Sequence, residues 1–194
     1  ARTKDTVAQQ FKLWHVGVKA KHGAQVGELA IDRGTEILNQ AIKNYCADEG
    51  IILYPCAPFL HGNGPAEAAV RLLQVMTRKL LFASGVPWRW YELAMRHACL
   101  ILNIVVRQER GKPRSEWQSR HQALTGKSFN AKRLAPFGSF VWFSLSSVGE
   151  MTQKKKERSK VHLRSKLGLF LGLDPDGSDG SYIHDVDKHR IRVV

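Results

Sequence analysis

The hydrophobic period changes once along this 194-residue chain, and that change limits what it can fold into. Up to about residue 106, apolar residues recur mostly every three or four positions, interrupted by two short β-branched runs. From 107 to 135 the period disappears, and beyond 136 apolar and aromatic residues alternate. A period near 3.6 marks helices packed on one face, and a period of 2 marks half-buried strands. The spacing of Val7, Phe11, Trp14 and Val18 predicts a first helix. GELAI (27–31) reads as a strand. EILNQAIKNYCADEG reads as a helix stopped by Gly50, and IILYPCAPF (51–59) as a short strand leaving into a loop. Residues 65–85 predict the clearest helix, with Pro65 at its start and Gly85 at its end. Its expected apolar stripe is Ala69, Leu72, Leu73, Met76 and Leu80, and 86–106 predict a second, buried helix. The aperiodic stretch reads as a linker. PFGSFVWFSL, KLGLFLGLD, SYIHDV and HRIRVV predict four strands in the pattern of a small all-β barrel.

Charge narrows the partners. Thirty Lys and Arg oppose seventeen Asp and Glu, a net charge of +13. A surplus of that size favours a polyanion, usually nucleic acid and less often an acidic membrane surface. It is concentrated in the middle of the chain, with eight basic and two acidic residues over 107–134 and seven and one over 151–166. The acidic residues Asp174, Asp176, Asp179, Asp185 and Asp187 then follow with no intervening Lys or Arg. A hydrophobic fraction of 43% excludes wholesale disorder, and the length suits one or two domains. No apolar run is long enough for a bilayer-spanning helix and no signal peptide opens the chain, so no membrane partner is expected. Three cysteines, Cys46, Cys56 and Cys99, form no C-x-x-C pair and read as buried small hydrophobes in a reducing, intracellular setting.

Two acids stand out by position. Asp32 ends the strand of AIDRGTE, and Glu67 lies in the first turn of the helix opened by HGNGPA, with one helix and one strand between them. A carboxylate at a strand end facing another at a helix N-terminus suits Mg²⁺, which takes one or two carboxylates and keeps waters and phosphates as its other ligands. The same residues equally describe a turn aspartate and a capping glutamate. Glu67, Arg71, Gln74 and Arg78 follow one another at steps of four, three and four, so they share a polar stripe, with Lys79 beside it. Asn63 and Gly64 suit a turn that needs positive φ.

These residues, in this order, resemble the catalytic core of retroviral-type integrases, specifically the copia-type retrotransposon branch. The matching elements are Asp32-Arg33-Gly34-Thr35-Glu36, Gly50-Ile51, Pro58 and Asn63-Gly64-Pro65-Ala66-Glu67, then Gly85-Val86-Pro87 with Trp88 or Trp90. Further along, Leu134-Ala135-Pro136-Phe137-Gly138 is similar to the family's connector. Gly168-Leu169-Phe170-Leu171-Gly172 with Tyr182 resembles a segment of its SH3-like barrel. The resemblance implies a partial α/β RNase H-like core over 1–106, lacking the first strands, a basic connector over 107–135, and an SH3-like β-barrel over 136–194. It implies Mg²⁺ or Mn²⁺ held by Asp32 and Glu67, both catalytic in the intact parent. DNA would be bound by Asn63, Arg71, Gln74, Arg78 and Lys79, and by Lys154, Lys155 and Lys156 of the KKKERSK run. It further implies element ends and target DNA as partners, a homo-oligomeric parent, and a nuclear location.

The chain departs from the family pattern in three places. The interval between the two acids is slightly shorter than usual, Arg33 stands where asparagine is usual, and the first of the family's three catalytic aspartates has no counterpart. Asp5 lies too close to Asp32 in sequence, and on a helical stretch, so it does not replace it. The expectation is therefore a fragment that binds DNA and is incomplete as a catalyst. The alternative is a non-enzymatic, basic, nucleic-acid-binding retroelement remnant. KKKERSK reads equally as a solvated loop, a second nucleic-acid contact or a localisation signal.

Other motifs fail on spacing. GNGPAE lacks the third glycine of a dinucleotide fingerprint, LTGKS has His121 where a phosphate loop needs glycine, and the Asp174–Asp185 stretch has Asp179 at the glycine position of a calcium loop. The eight histidines show no ligand spacing, and His184 and His189 read as surface strand residues.

Overall fold

The computed structural model describes residues 4–31, 40–55, 64–108, 111–144, 165–174 and 180–194. The chain forms two compact units, Ala1–Val70 with Ala123–Gly126, and Arg71–Gln122 with Lys127–Val194.

The first unit is built from α1 (Lys4–His22), β1 (Glu28–Ile31), α2 (Gln40–Asp48) and β2 (Ile52–Pro55). The two strands run parallel, in register from Glu28 opposite Ile52 to Ile31 opposite Pro55. Ile42 and Cys46, one turn apart on α2, meet Ala8 of α1 and Ile51 in a buried cluster, against which Phe11, Val26, Leu29 and Leu53 pack. These contacts cover one face of the strand pair. The other alternation of the pleat leaves Glu28, Ala30, Ile52 and Tyr54 exposed. Gly50 closes α2 as the sequence predicts. Its φ of 70° lets the Gly50 amide donate to the Ala47 carbonyl at 3.3 Å and the Ile51 amide to the Cys46 carbonyl at 2.7 Å. That pair of bonds is a Schellman cap.

In the second unit a helical pair packs on a sheet. Helix α3 (Gly64–Ser84) begins in the first unit and continues into this one, and Gly85 (φ 66°) ends it by donating its amide to the Leu81 carbonyl at 3.1 Å. A 3₁₀ turn at Trp88–Trp90 leads into α4 (Tyr91–Ile104). The second helix thus starts later than its apolar composition suggests, because Pro87 has no amide to donate and holds the chain extended at ψ 146°. The aperiodic stretch holds 3₁₀ turns at Arg114–Glu116 and Ala131–Arg133, helix α5 (Arg120–Thr125), and an antiparallel bridge at Ser119 to Val106, where the Arg107 amide donates to the Gln118 carbonyl at 3.3 Å.

The four expected strands form as β3 (Phe140–Ser144), β4 (Ser165–Leu173), β5 (Ser181–Asp185) and β6 (Arg190–Val193). They make one antiparallel sheet in the order β3-β4-β5-β6, with a bulge between Phe170 and Leu173. One face buries Phe143, Phe170 and Ile183. The opposite face meets the helices, where Leu81, Trp90, Ala94, Phe137 and Leu171 form a second cluster.

Glycines allow the close approaches in this unit. A Cβ on Gly138 would lie 2.5 Å from Ser84 Cβ, and one on Gly168 would lie 2.5 Å from Ile183 Cγ2 and 2.9 Å from the His184 carbonyl. Two histidines are buried here. His97 of α4 lies between the rings of Phe137 and Phe170, each 5.7 Å away, and burial pushes its pKa below the ordinary value. His184, expected at the surface, is instead buried with its ring 4.7 Å from Trp90. Burial chiefly, then His189 and Arg89, lowers its pKa against the opposing Asp185. Asp185 is fully buried, with Arg192 Nε 3.0 Å from its Oδ2, a distance that makes an ion pair without the alignment of a hydrogen bond.

Candidate functional site

The two parallel strands of the first unit end at the same edge, since Ile31 is opposite Pro55. In open α/β sheets the carboxyl ends of the strands are where ligands gather. Asp32 follows Ile31 directly in sequence and lies outside the described residues, as do Asn63, Lys154, Lys155 and Lys156. The chain that leaves β2 at Pro55 re-enters the described structure at Gly64, the first residue of α3.

Glu67 occupies the first turn of α3, as its position after HGNGPA predicts, and it is exposed. The aligned peptide dipoles put partial positive charge at that end, so a carboxylate there is favoured on electrostatic grounds alone. An exposed carboxylate is also a hard oxygen donor with coordination positions open to a cation. Its environment is therefore compatible with a Mg²⁺ ligand and equally with a capping acid. Among the described residues no group of three or more His, Cys, Asp or Glu side chains converges.

Arg71, Gln74, Arg78 and Lys79 are all exposed on α3. At 100° per residue, Glu67, Arg71, Gln74 and Arg78 fall within an arc of about 60°, a line about 16 Å long from the glutamate to the last arginine. The buried side of the helix carries Thr77 and Leu81, with Leu73, Met76 and Leu80 half-buried. The expected apolar stripe is displaced accordingly. Ala69 and Leu72 are exposed, whereas Thr77 is fully buried and satisfies its hydroxyl by donating to the Leu73 carbonyl at 2.7 Å. Val75 and Phe82 stand beside the cations on the solvent side, Phe82 with 93% of its surface exposed. Nothing in the sequence singles out either residue, because apolar residues in an apolar helix look like core until their phase is fixed.

No family model matches the chain. In sequence it is 29% identical over 103 residues to the retrovirus-related Pol polyprotein from transposon TNT 1-94 of Nicotiana tabacum, covering 53% of this chain and 8% of the polyprotein. It is 25% identical over 185 residues to the transposon Ty1-DR6 Gag-Pol polyprotein of Saccharomyces cerevisiae, covering 94% of this chain and 10% of that one. The chain thus spans a tenth or less of the length of these relatives.

Two solved structures are similar in part. A simian T-cell lymphotropic virus intasome in complex with PP2A regulatory subunit B56 gamma matches at a TM-score of 0.49 and 13% identity, over all of this chain and 62% of that one. The HTLV-2 integrase catalytic core domain in complex with magnesium matches at a TM-score of 0.44 and 18% identity, over 63% of this chain and 70% of that one. At TM-scores below 0.5 these likenesses establish no fold. Among the described residues, no helix is long and apolar enough to cross a membrane. The similarity to the Ty1-DR6 polyprotein extends over nearly the whole chain, and that to the TNT 1-94 polyprotein over about half of it. The chain is similar in sequence to short stretches of retrotransposon Pol polyproteins.

Proposed function

We propose that the chain is part of a copia-type retrotransposon integrase, a DNA-binding portion of a polynucleotidyl transferase. The observation that carries this reading is the exposed line of Arg71, Gln74 and Arg78 along α3, led by Glu67 in its first turn. In this reading residues 1–106 belong to a partial RNase H-like core, 107–135 to a basic connector, and 136–194 to an SH3-like barrel that includes the β3–β6 sheet. Asp32 and Glu67 are the ligands of a divalent cation, Mg²⁺ or Mn²⁺, which when bound supplies Lewis-acid activation and charge neutralisation for phosphoryl transfer. Glu67 presents its carboxylate from a helix end whose partial positive charge attracts it. Arg71 and Arg78 place positive charge at intervals suited to a phosphate backbone, and Gln74 offers both a donor and an acceptor between them. Asn63, next before the helix in sequence, adds a contact with DNA. Lys79, with Lys154, Lys155 and Lys156, extends the contact with DNA, both element ends and target. Intact parents would work as homo-oligomers in the nucleus. In this reading the chain itself binds DNA.

The test is the salt dependence of duplex DNA binding. Affinity falls with salt at a slope of about 0.9 per neutralised phosphate. Replacing both Arg71 and Arg78 with alanine should therefore lower the magnitude of the slope by about 2. A slope unchanged by the double substitution would remove α3 from the interface.

A further inference from the structure

On the face opposite Phe143, β3 carries two exposed aromatic side chains that the proposed function does not use. Within β3 the pleat divides alternate residues. Phe143 is buried and Val141 packs on the same cluster, while Phe140 and Trp142 point to the other face, 67% and 69% exposed. Their partners across the ladder are Leu169 and Leu167, the latter 39% exposed. Among the described residues β3 is also the first strand of the sheet, with no strand paired along its far edge. Two large rings side by side on an edge strand, beside an aliphatic residue, leave an apolar patch in water. Patches of this kind mark interaction surfaces.

We infer that Phe140 and Trp142 form a stacking platform for unpaired bases of a nucleic-acid strand, an inference that rests on the nucleic-acid reading proposed above. Charge selects this occupant over a second copy of the chain. The whole chain carries +13, and residues 131–194 hold twelve Lys and Arg against seven Asp and Glu. Two such surfaces repel one another, whereas a polyanion is drawn to either.

The rings select unpaired bases over a duplex. In a duplex the base faces are stacked on one another and hidden, whereas every unpaired base offers a π-face to an aromatic ring whatever its sequence. Alternate residues of a strand are about 6.7 Å apart, roughly twice the 3.4 Å rise per base along one strand of a duplex. The two rings thus match an opened, extended strand with one base on each ring. In this arrangement α3 tracks phosphates, and β3 holds bases that have left the helix.

The experiment compares a labelled 20-nucleotide oligothymidine with a duplex of equal length by fluorescence anisotropy at fixed salt. Trp142→Ala should weaken oligothymidine binding about tenfold while duplex affinity changes less than twofold, with Phe140→Ala acting in the same direction. Trp142→Tyr, which keeps a stacking ring, should restore most of the loss. Both side chains are mostly exposed, so the sheet should survive the changes, and circular dichroism checks this. Independently of any destabilised variant, oligothymidine should quench part of the wild-type tryptophan fluorescence, and that part should vanish in Trp142→Phe. Equal losses for oligothymidine and duplex, or no loss, would overturn the platform while leaving nucleic-acid binding intact. An unchanged affinity with a shift from dimer to monomer in sedimentation would overturn it in favour of a second copy. Failure of the wild-type chain to bind either nucleic acid would sink both this inference and the function proposed above.

Discussion

The two units use their motif residues in opposite ways. In the first, the acids that the motifs point to lie at the ends of elements, with Glu67 exposed at the start of α3 and Asp32 next in sequence after β1. Packing there is one-sided. Ile42 and Cys46 seal one face of the strand pair, while Ile52 and Tyr54 on the other are 53% and 50% exposed. In the second unit the residues of PFG and GLFLG are themselves core. Phe137, Phe170 and Leu171 are each at most 5% exposed, and a methyl group would collide with Ser84 of α3 at Gly138 and with the neighbouring strand β5 at Gly168. The lesson is that a motif can be kept for two physical reasons. The acid Glu67 at its helix end is exposed and adds little to stability, whereas Phe137, Gly138, Gly168 and Phe170 of the second unit serve packing.

Substitutions can break this comparison, and the largest effect should come from the sheet. Gly168→Val places branched carbon where Ile183 Cγ2 and the His184 carbonyl already sit, so it should cost about 3 kcal/mol in urea unfolding. A neutral result would mean that GLFLG is not packed as described.

Within the first unit, Ile42→Ala should also cost about 3 kcal/mol, because Ile42 is 1% exposed and the change leaves a cavity. Ile52→Ala on the bare face should cost under about 1 kcal/mol. Equal costs would show that the second sheet face is covered in solution.

A smaller effect is expected from acid. His97 is buried among Phe137, Phe170 and Gly172, with no hydrogen-bond partner for Nδ1 among the described residues, and burial lowers its pKa from 6.5. The folded state therefore takes up its proton later than the unfolded state as pH falls. Stability is fully present above about pH 6.5 and is lost as pH falls from there through the folded pKa. His184 adds loss in the same direction. Melting curves between pH 7.5 and 5 should show the decline, and His97→Leu should flatten it. A pH-independent wild type would contradict the burial of both rings.

The smallest stability effect belongs to Glu67→Gln, at most about 1 kcal/mol from the lost interaction with the helix terminus. A cost several times larger would make Glu67 a structural residue rather than an available ligand.

Much of the second unit was legible because alternation survives in short strands. PFGSFVWFSL, KLGLFLGLD, SYIHDV and HRIRVV each contain one observed strand, and GELAI and the start of IILYPCAPF contain β1 and β2. The phase of α3 was less legible. Apolarity places Leu72 in the core and Thr77 outside, but a hydroxyl that bonds back to Leu73 can be buried and an aliphatic residue can be left out. His184 was misread for a similar reason, since an imidazole stacked on Trp90 is as good a core residue as an aliphatic one. The stretch from 107 to 135 forms its turns, α5 and the Val106–Ser119 bridge without an apolar period to announce them. At the candidate site, the first-turn position of Glu67 and the exposed line after it were readable from HGNGPAE and a spacing of four, three and four. The partner acid was readable only through the ordered resemblance, because two carboxylates so far apart in sequence carry no signal by themselves.

The most direct test of the central claim, that Asp32 and Glu67 are ligands of one divalent cation, is Mn²⁺ titration of the purified chain followed by electron paramagnetic resonance. The account predicts one Mn²⁺ per chain, weakened by Asp32→Asn and by Glu67→Gln, with the double variant losing less than the sum of the two. Wild type and both single variants binding Mn²⁺ alike would contradict it and leave the chain a nucleic-acid-binding remnant without a metal site.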